Sequence, residues 1–283
     1  MTTTEVLLFQ CIDYAGLFPP ARLDLHATVE NYAQYRAGAQ AWALGRLILP
    51  ANRATEFTES WPSYAALWPI SLLLNDDADE LHHVIELGLF LDVVECKPMP
   101  VEKIGVVRRL LPEGTTVYFE VPVGAGTKES IAAIANVGGR AKVRMGGVTR
   151  EAIPSGSDFV NFLSHCMEQR VSFKATAGLH HPIRSVHPLT YEPQSDHALM
   201  HGFVNVILAA AILKNGGGIA EVSAVLEDAS PQNFTLGQEH IQWRDWSFTV
   251  QQITDVRRDL MVSFGSCSFT EPLAEIKSLE LPS

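Results

Sequence analysis

Cysteine is scarce and scattered: Cys11, Cys96, Cys166 and Cys267 stand far apart in 283 residues, with no C-x-x-C pair. That spacing excludes a disulfide-stapled scaffold and fits reduced thiols in a cytoplasm. Basic residues are also few, 21 Lys and Arg against 32 Asp and Glu, for a formal net charge of −11. Nucleic acid and anionic membrane both require basic surface, so neither is expected as a main partner. The apolar run Phe203 to Leu213 stops well short of the roughly 18 to 20 residues needed to span a bilayer. The N-terminal MTTTEVLLFQCIDYAG lacks the positive start of a signal peptide, and its apolar run is too short for one. There is no short repeat, no low-complexity tract and no H-E-x-x-H motif. What remains is the composition of a globular protein, 47% hydrophobic and 19% charged, for which a cytoplasmic location is expected.

Apolar runs of strand length alternate with helical patterns, the order expected of successive β/α units on a parallel sheet. The strands are read as Leu7 to Asp13, Arg46 to Leu49, Pro69 to Leu74, Phe90 to Cys96, Val117 to Val121, Ala141 to Met145, a seventh from Val171 and an eighth at Met261 to Phe269. Helices fall between them, including Leu25 to Ala37, Ser157 to Gln169 and the buried Phe203 to Leu213, with Glu271 to Leu279 closing the chain. Eight units in this length point to a single (β/α)₈ barrel domain over 1–283. A helical insertion of approximately 215–250 separates units 7 and 8. It carries a second helix, Gly218 to Asp228, and a segment with Trp243 and Trp246 that is expected to pack onto the barrel.

In such a barrel alternate strand residues point inward, and chemistry gathers where the strands end. The alternation puts Ser172, Lys174 and Thr176 on one face of strand 7, Lys142 and Arg144 on one face of strand 6, and Tyr118 and Glu120 on one face of strand 5. Strand 4 offers two choices, Glu95 with Lys97 or Asp92 with Cys96. Glu95, Glu120, Lys142, Arg144 and Lys174 therefore form a candidate ring of charge at the mouth, either a site or a set of barrel-filling ion pairs. Two lysines on adjacent strands suit Schiff-base chemistry, because a second cation and desolvation both favour the neutral, nucleophilic amine. Either Lys142 or Lys174 is a candidate nucleophile. Asp13, at the end of strand 1, is a candidate ligand contact.

LDVV on strand 4, the strand 6 lysine, FKATAG on strand 7 and FGSCS on strand 8 resemble ordered landmarks of the deoxyribose-phosphate aldolase group of class I aldolases. The resemblance implies Lys142 as the Schiff-base lysine, Lys174 as its tuning partner and Asp92 as a proton-transfer group. It also implies Gly265, Ser266 and Ser268 as a phosphate-holding turn. VRMGG after Lys142, the His180–His181 pair after Gly178 and the insertion before strand 8 depart from that pattern. As a whole the chain more closely resembles a bacterial protein family marked by DYAGLFPPA, KATAGLHH and FGSCSF, a likeness that implies no particular reaction.

Five of the ten histidines, His180, His181, His187, His197 and His201, crowd one stretch. Neutral imidazoles are common metal ligands, so a divalent metal on His180, His181 and Glu120 is the rival to a reaction without cofactor. The leading expectation is an enzyme acting on a small oxo compound, with or without a phosphate, by Schiff-base carbon–carbon lyase chemistry. Its catalytic set is Lys142, Lys174, Glu120, Asp92 and His180. Asp13, Glu95, Arg144, Thr176, Gly178, His181, Gly265, Ser266 and Ser268 would bind substrate. The alternatives are a metal-dependent lyase, isomerase or hydrolase, and a ligand-binding barrel without catalysis. A small molecule is the expected partner, and assembly into a homo-oligomer is left open.

Overall fold

Strands whose outward residues are Val, Ile, Leu and Phe must cover that face with helices, and the chain does so by closing into a barrel. The computed structural model describes residues 2–75, 78–89 and 91–280. The barrel strands are β1 (Ile12–Tyr14), β2 (Leu44–Pro50), β3 (Ile70–Leu74), β4 (Val93–Cys96), β5 (Thr116–Glu120), β6 (Arg140–Arg144) and β7 (Phe173–Thr176). After them come the hairpin β8 (Ser185–Pro188) and β9 (His197–Met200), the strands β10 (Phe234–Leu236), β11 (His240–Trp243) and β12 (Trp246–Thr249), and β13 (Met261–Ser266). The closed order is β1-β13-β7-β6-β5-β4-β3-β2, with every neighbouring pair parallel. Helices lie between successive strands, so this is a (β/α)₈ barrel, as expected from the sequence.

The alternation in β7 is borne out. Phe173 and Ala175 are fully buried on the outer face, where Phe173 meets Phe159 and Phe162 of the helix Gly156–Gln169 edge-on. Lys174 points into the barrel. The first strand differs from expectation: Leu7 and Leu8 belong to a helix, Thr3–Leu8, and β1 begins only at Ile12. A capping box between Thr2 and Glu5 starts that helix, and burial of Val6, Leu7 and Leu8 holds it. An apolar run this short does not by itself distinguish strand from buried helix. Phe90, read as the start of strand 4, lies outside the described residues.

The insertion before β13 is only partly helical. Its helix spans Ile219–Glu227, and the tryptophan segment folds into a three-stranded antiparallel sheet, β10-β11-β12. Trp243 is buried in the main core and donates its indole N–H to Asp228 at 2.9 Å. The β8–β9 hairpin has no counterpart in the sequence pattern. No helix among the described residues is long and apolar enough to cross a membrane.

Two glycines fix how the ends of β6 and β7 meet. Gly178 has a left-handed φ of +73°, and a Cβ there would lie 2.7 Å from both Met145 O and the Gly146 Cα. This contact carries the chain from β7 over to His180 and His181. Gly178→Ala should combine a left-handed penalty with a backbone clash, at a cost of roughly 2 to 5 kcal/mol. Gly138 has a similar φ of +64° but open space around it, so Gly138→Ala should cost only about 1 to 2 kcal/mol. Urea unfolding of the two variants checks the difference; equal costs would show that the Gly146–Gly178 approach does not constrain the fold.

Candidate active site

Register across three strands stacks the charged side chains in one layer. Lys174 of β7 is level with Lys142 of β6, and Lys142 with Glu120 of β5. The side chains form a chain of alternating sign across the barrel. Arg144 Nε donates to Glu120 Oε1 at 3.0 Å. Lys142 Nζ lies 3.1 Å from Glu120 Oε2 and 3.3 Å from Glu95 Oε2. Lys174 Nζ donates to Glu95 Oε1 and to Asp13 Oδ2, both at 2.5 Å. Ser71 Oγ adds a 2.7 Å hydrogen bond to Glu95, and Ser263 Oγ one of 2.9 Å to Asp13. Three cations thus face three carboxylates. That balance offsets the cost of burying Lys142 and Lys174, only 2% and 1% exposed, inside the barrel.

The pKa directions follow from this geometry. Burial alone would raise the Glu95 carboxyl, but the ammonium groups of Lys174 and Lys142, with hydrogen bonds from Lys174 and Ser71, outweigh it and hold it at about 2. Burial likewise opposes charge on Lys174, yet Asp13 and Glu95 prevail and raise it above the ordinary lysine range. The expectation that one lysine would depress the other is corrected for Lys174, because Glu95 sits between the two.

Two chambers open on opposite sides of this layer. The C-terminal one, about 340 Å³, is walled by Glu95, Glu120, Lys142, Arg144, Thr176 and His180, with Gly265 and Cys267 also facing it. The N-terminal one, about 540 Å³, is lined by Arg36, Arg46, Arg140 and Tyr118, with Lys174 and Asp13 as its ceiling. Although it is the larger, two of its arginines are already engaged. Arg140 donates to the Tyr118 hydroxyl at 3.0 Å, and Arg46 makes contacts of 2.9 and 2.7 Å to Asp92. Chemistry in these barrels is placed at the strand C-termini, the side that Lys142 faces.

Asp92 is therefore corrected. It precedes β4 and pairs with Arg46 at the N-terminal end, and the strand 4 carboxylate that meets both lysines is Glu95. Ser266 ends β13 and Ser268 lies in the loop after it: Ser266 Oγ donates to Ser268 O at 2.6 Å and lies 3.3 Å from His180 Nδ1, and Ser268 Oγ accepts from Glu271 N. Cys267 is a buried thiol whose pKa is raised by desolvation, not an activated nucleophile.

The histidines divide into separate groups. His180 lies between Ser266 Oγ and Glu271 Oε2, 3.3 and 3.2 Å from its Nδ1. His181 Nδ1 is 2.8 Å from Glu275 Oε2, and its ring stacks on His187 with centroids 3.2 Å apart and an interplanar angle of 6°. Burial, then the neighbouring His181, lowers the His187 pKa to about 4. His201 is elsewhere, against Pro154 O, and His197 is exposed on β9. The grouping of His180 and His181 with Glu120 is corrected as well, since Glu120 is committed to Lys142 and Arg144. The carboxylates beside these imidazoles are Glu271 and Glu275, which sequence reasoning missed. Their i, i+4 spacing on the closing helix was the available signal.

No protein-family model and no curated protein matches the chain. Among solved structures, it is similar to a double mutant of an organophosphorus hydrolase from Deinococcus radiodurans, with 12% identity over 65% of this chain and 68% of that one and a TM-score of 0.34.

The two lysines should differ in what they hold together. Lys174→Met removes the lysine on Asp13 and the closer of the two on Glu95, and should destabilise by about 3 to 5 kcal/mol. Lys142→Met leaves Glu95 on Lys174 and Glu120 on Arg144, so its cost should be smaller; chemical denaturation of both variants measures this. A carboxyl with a lowered folded pKa stabilises above its unfolded value and loses that contribution as pH falls through the folded one. For Glu95 the loss should run from about pH 4.5 down to about 2, on the order of 3 kcal/mol. Glu95→Gln should flatten stability against pH in that window, and an unchanged slope would place the acid sensitivity elsewhere.

Proposed function

We propose that the protein is a Schiff-base lyase that makes or breaks a carbon–carbon bond of a small oxo compound, with Lys142 as the nucleophile. The observation that carries this reading is the unequal setting of the two lysines. Lys174 is clamped by two short carboxylate contacts and kept as an ammonium ion, whereas Lys142 makes longer contacts and faces the C-terminal chamber. A neutral amine is required for attack on a carbonyl, so Lys142 must first hand its proton to a neighbouring base. Glu120, 3.1 Å away, is placed to take that proton; Glu95, held ionised, acts as a fixed negative charge between the lysines.

In this reading the Lys142 nitrogen adds to the carbonyl carbon and the carbonyl oxygen gains protons and leaves as water; a base then removes the proton from the hydroxyl of the β carbon, which becomes the carbonyl of the released fragment while the electron pair of the breaking carbon–carbon bond passes into the iminium to give an enamine. Protonation of the enamine and hydrolysis return the amine. His180, on the chamber wall, is positioned to exchange protons with the departing or incoming oxygen. Arg144, about half exposed, and Lys97 at the rim supply positive charge for a carboxylate or phosphate on the substrate. A chamber of about 340 Å³ suits a metabolite-sized molecule.

Borohydride reduction in the presence of a panel of aldehydes and keto acids tests the proposal, with peptide mass spectrometry as the readout. A reduced adduct is expected on Lys142 with at least one of them, and none in Lys142→Met. Absence of any adduct across the panel, or an adduct that persists in Lys142→Met, would overturn it.

A further inference from the structure

In the lysine layer every carboxylate has a lysine or arginine against it, whereas a second acidic cluster at the barrel mouth is paired differently. Glu271 and Glu275 stand one turn apart on the short helix Thr270–Glu275 and line a cavity together with the loop after β7. Among the described residues their ion-pair partners are imidazoles, His180 for Glu271 and His181 for Glu275. His181 is 8% exposed, and one ligand atom each from His181, Glu271 and Glu275 lies within 4.8 Å of the other two. An imidazole nitrogen and two carboxylate oxygens that converge this closely present a divalent ion with both the donors and the charge that it requires.

We infer that His181, Glu271 and Glu275 bind one divalent transition-metal ion of the zinc type, with the His180 imidazole alongside Glu271 to orient it. Binding would replace the 2.8 Å contact between His181 Nδ1 and Glu275 Oε2 with a bond from each to the ion, the two side chains parting to admit it. His187, stacked flat on His181 and itself 2.6 Å from Ser185 Oγ through Nε2, fixes the plane of the ligand ring. Three protein ligands leave a coordination position open, and the cluster borders a cavity of about 260 Å³ walled by Tyr191, Thr190 and Leu189 of the hairpin loop. His180 faces both this cavity and the lysine chamber, so an oxygen-bearing ligand on the ion would lie beside the proposed reaction site. The inference stands on these residues and is independent of the lysine chemistry.

Calorimetric titration of the chelator-stripped protein with Zn²⁺ tests it. One ion per chain is expected. His181→Gln and Glu275→Gln should each weaken binding at least roughly tenfold, while His240→Ala, an exposed histidine on β11, should not change it. Because Glu275 is partly exposed, Glu275→Gln should fold, and circular dichroism confirms that it has. Visible absorption on adding Co²⁺, lost in the same two variants, gives a second readout. Absence of Zn²⁺ binding in the unaltered protein, or binding that neither variant weakens, would overturn the assignment.

Discussion

The interior of this barrel depends on one carboxylate. Glu95 is 1% exposed and reaches both lysines, one through each oxygen, with the Ser71 hydroxyl completing its shell. Without it, Lys142 and Lys174 would face each other from adjacent positions on neighbouring strands with no carboxylate between them in the buried interior. Placing an ion in such an environment costs several kcal/mol even after relaxation, so the layer forms only because each charge finds its counterpart. Asp13 and Glu120 then extend the alternation to either side, and Arg144 ends it at the solvent.

That layer also divides the barrel. Barrels of this class are ordinarily filled by branched apolar side chains, but here a plane of ion pairs forms a floor with a chamber on each side. The two lysines are made unequal by the strands that flank them. Lys174 has β13 beside it and β1 beyond that, which bring Ser263 and Asp13, whereas Lys142 has β5, whose Glu120 is shared with the arginine at the mouth. Lys174 is thus held by two short carboxylate contacts and Lys142 by two longer ones. The asymmetry is a consequence of strand order, since β13 closes the barrel between β7 and β1.

Much of this was legible in the sequence because a period of two is a strong constraint inside a barrel. FKAT could place Lys174 and Phe173 on opposite faces with no further information, and KVR did the same for Lys142 and Arg144. FLDVVEC could not be resolved so simply, because acidic residues sit on both of its faces; only the register and the start of β4 at Val93 show that Glu95 enters the layer while Asp92 pairs with Arg46. The helix Thr3–Leu8 was hidden for a different reason, that a short run with several buried residues satisfies either period. The β8–β9 hairpin was hidden because each strand is only four residues long, and SVHP and HALM carry Ser, His and Pro where a strand signal needs a run of β-branched or aromatic residues.

The carboxylates beside the histidines were beyond reach of local pattern altogether. His181 and Glu275 are 94 residues apart, and their contact depends on β13 returning the chain to the end of β7 after the long insertion. The comparison between the two acidic clusters is the more instructive for being made within one molecule. Where the barrel buries Asp13, Glu95 and Glu120 deeply, it supplies lysine or arginine to each of them. At the mouth, where Glu271 and Glu275 are partly exposed, it supplies imidazoles, whose charge depends on pH and whose neutral form is a metal ligand. A site meant only for structural stability gains little from such a choice, because a lysine at either histidine position would neutralise a carboxylate at all physiological pH values. Imidazoles facing carboxylates on the rim of the C-terminal chamber are the arrangement that the metal site proposed above requires.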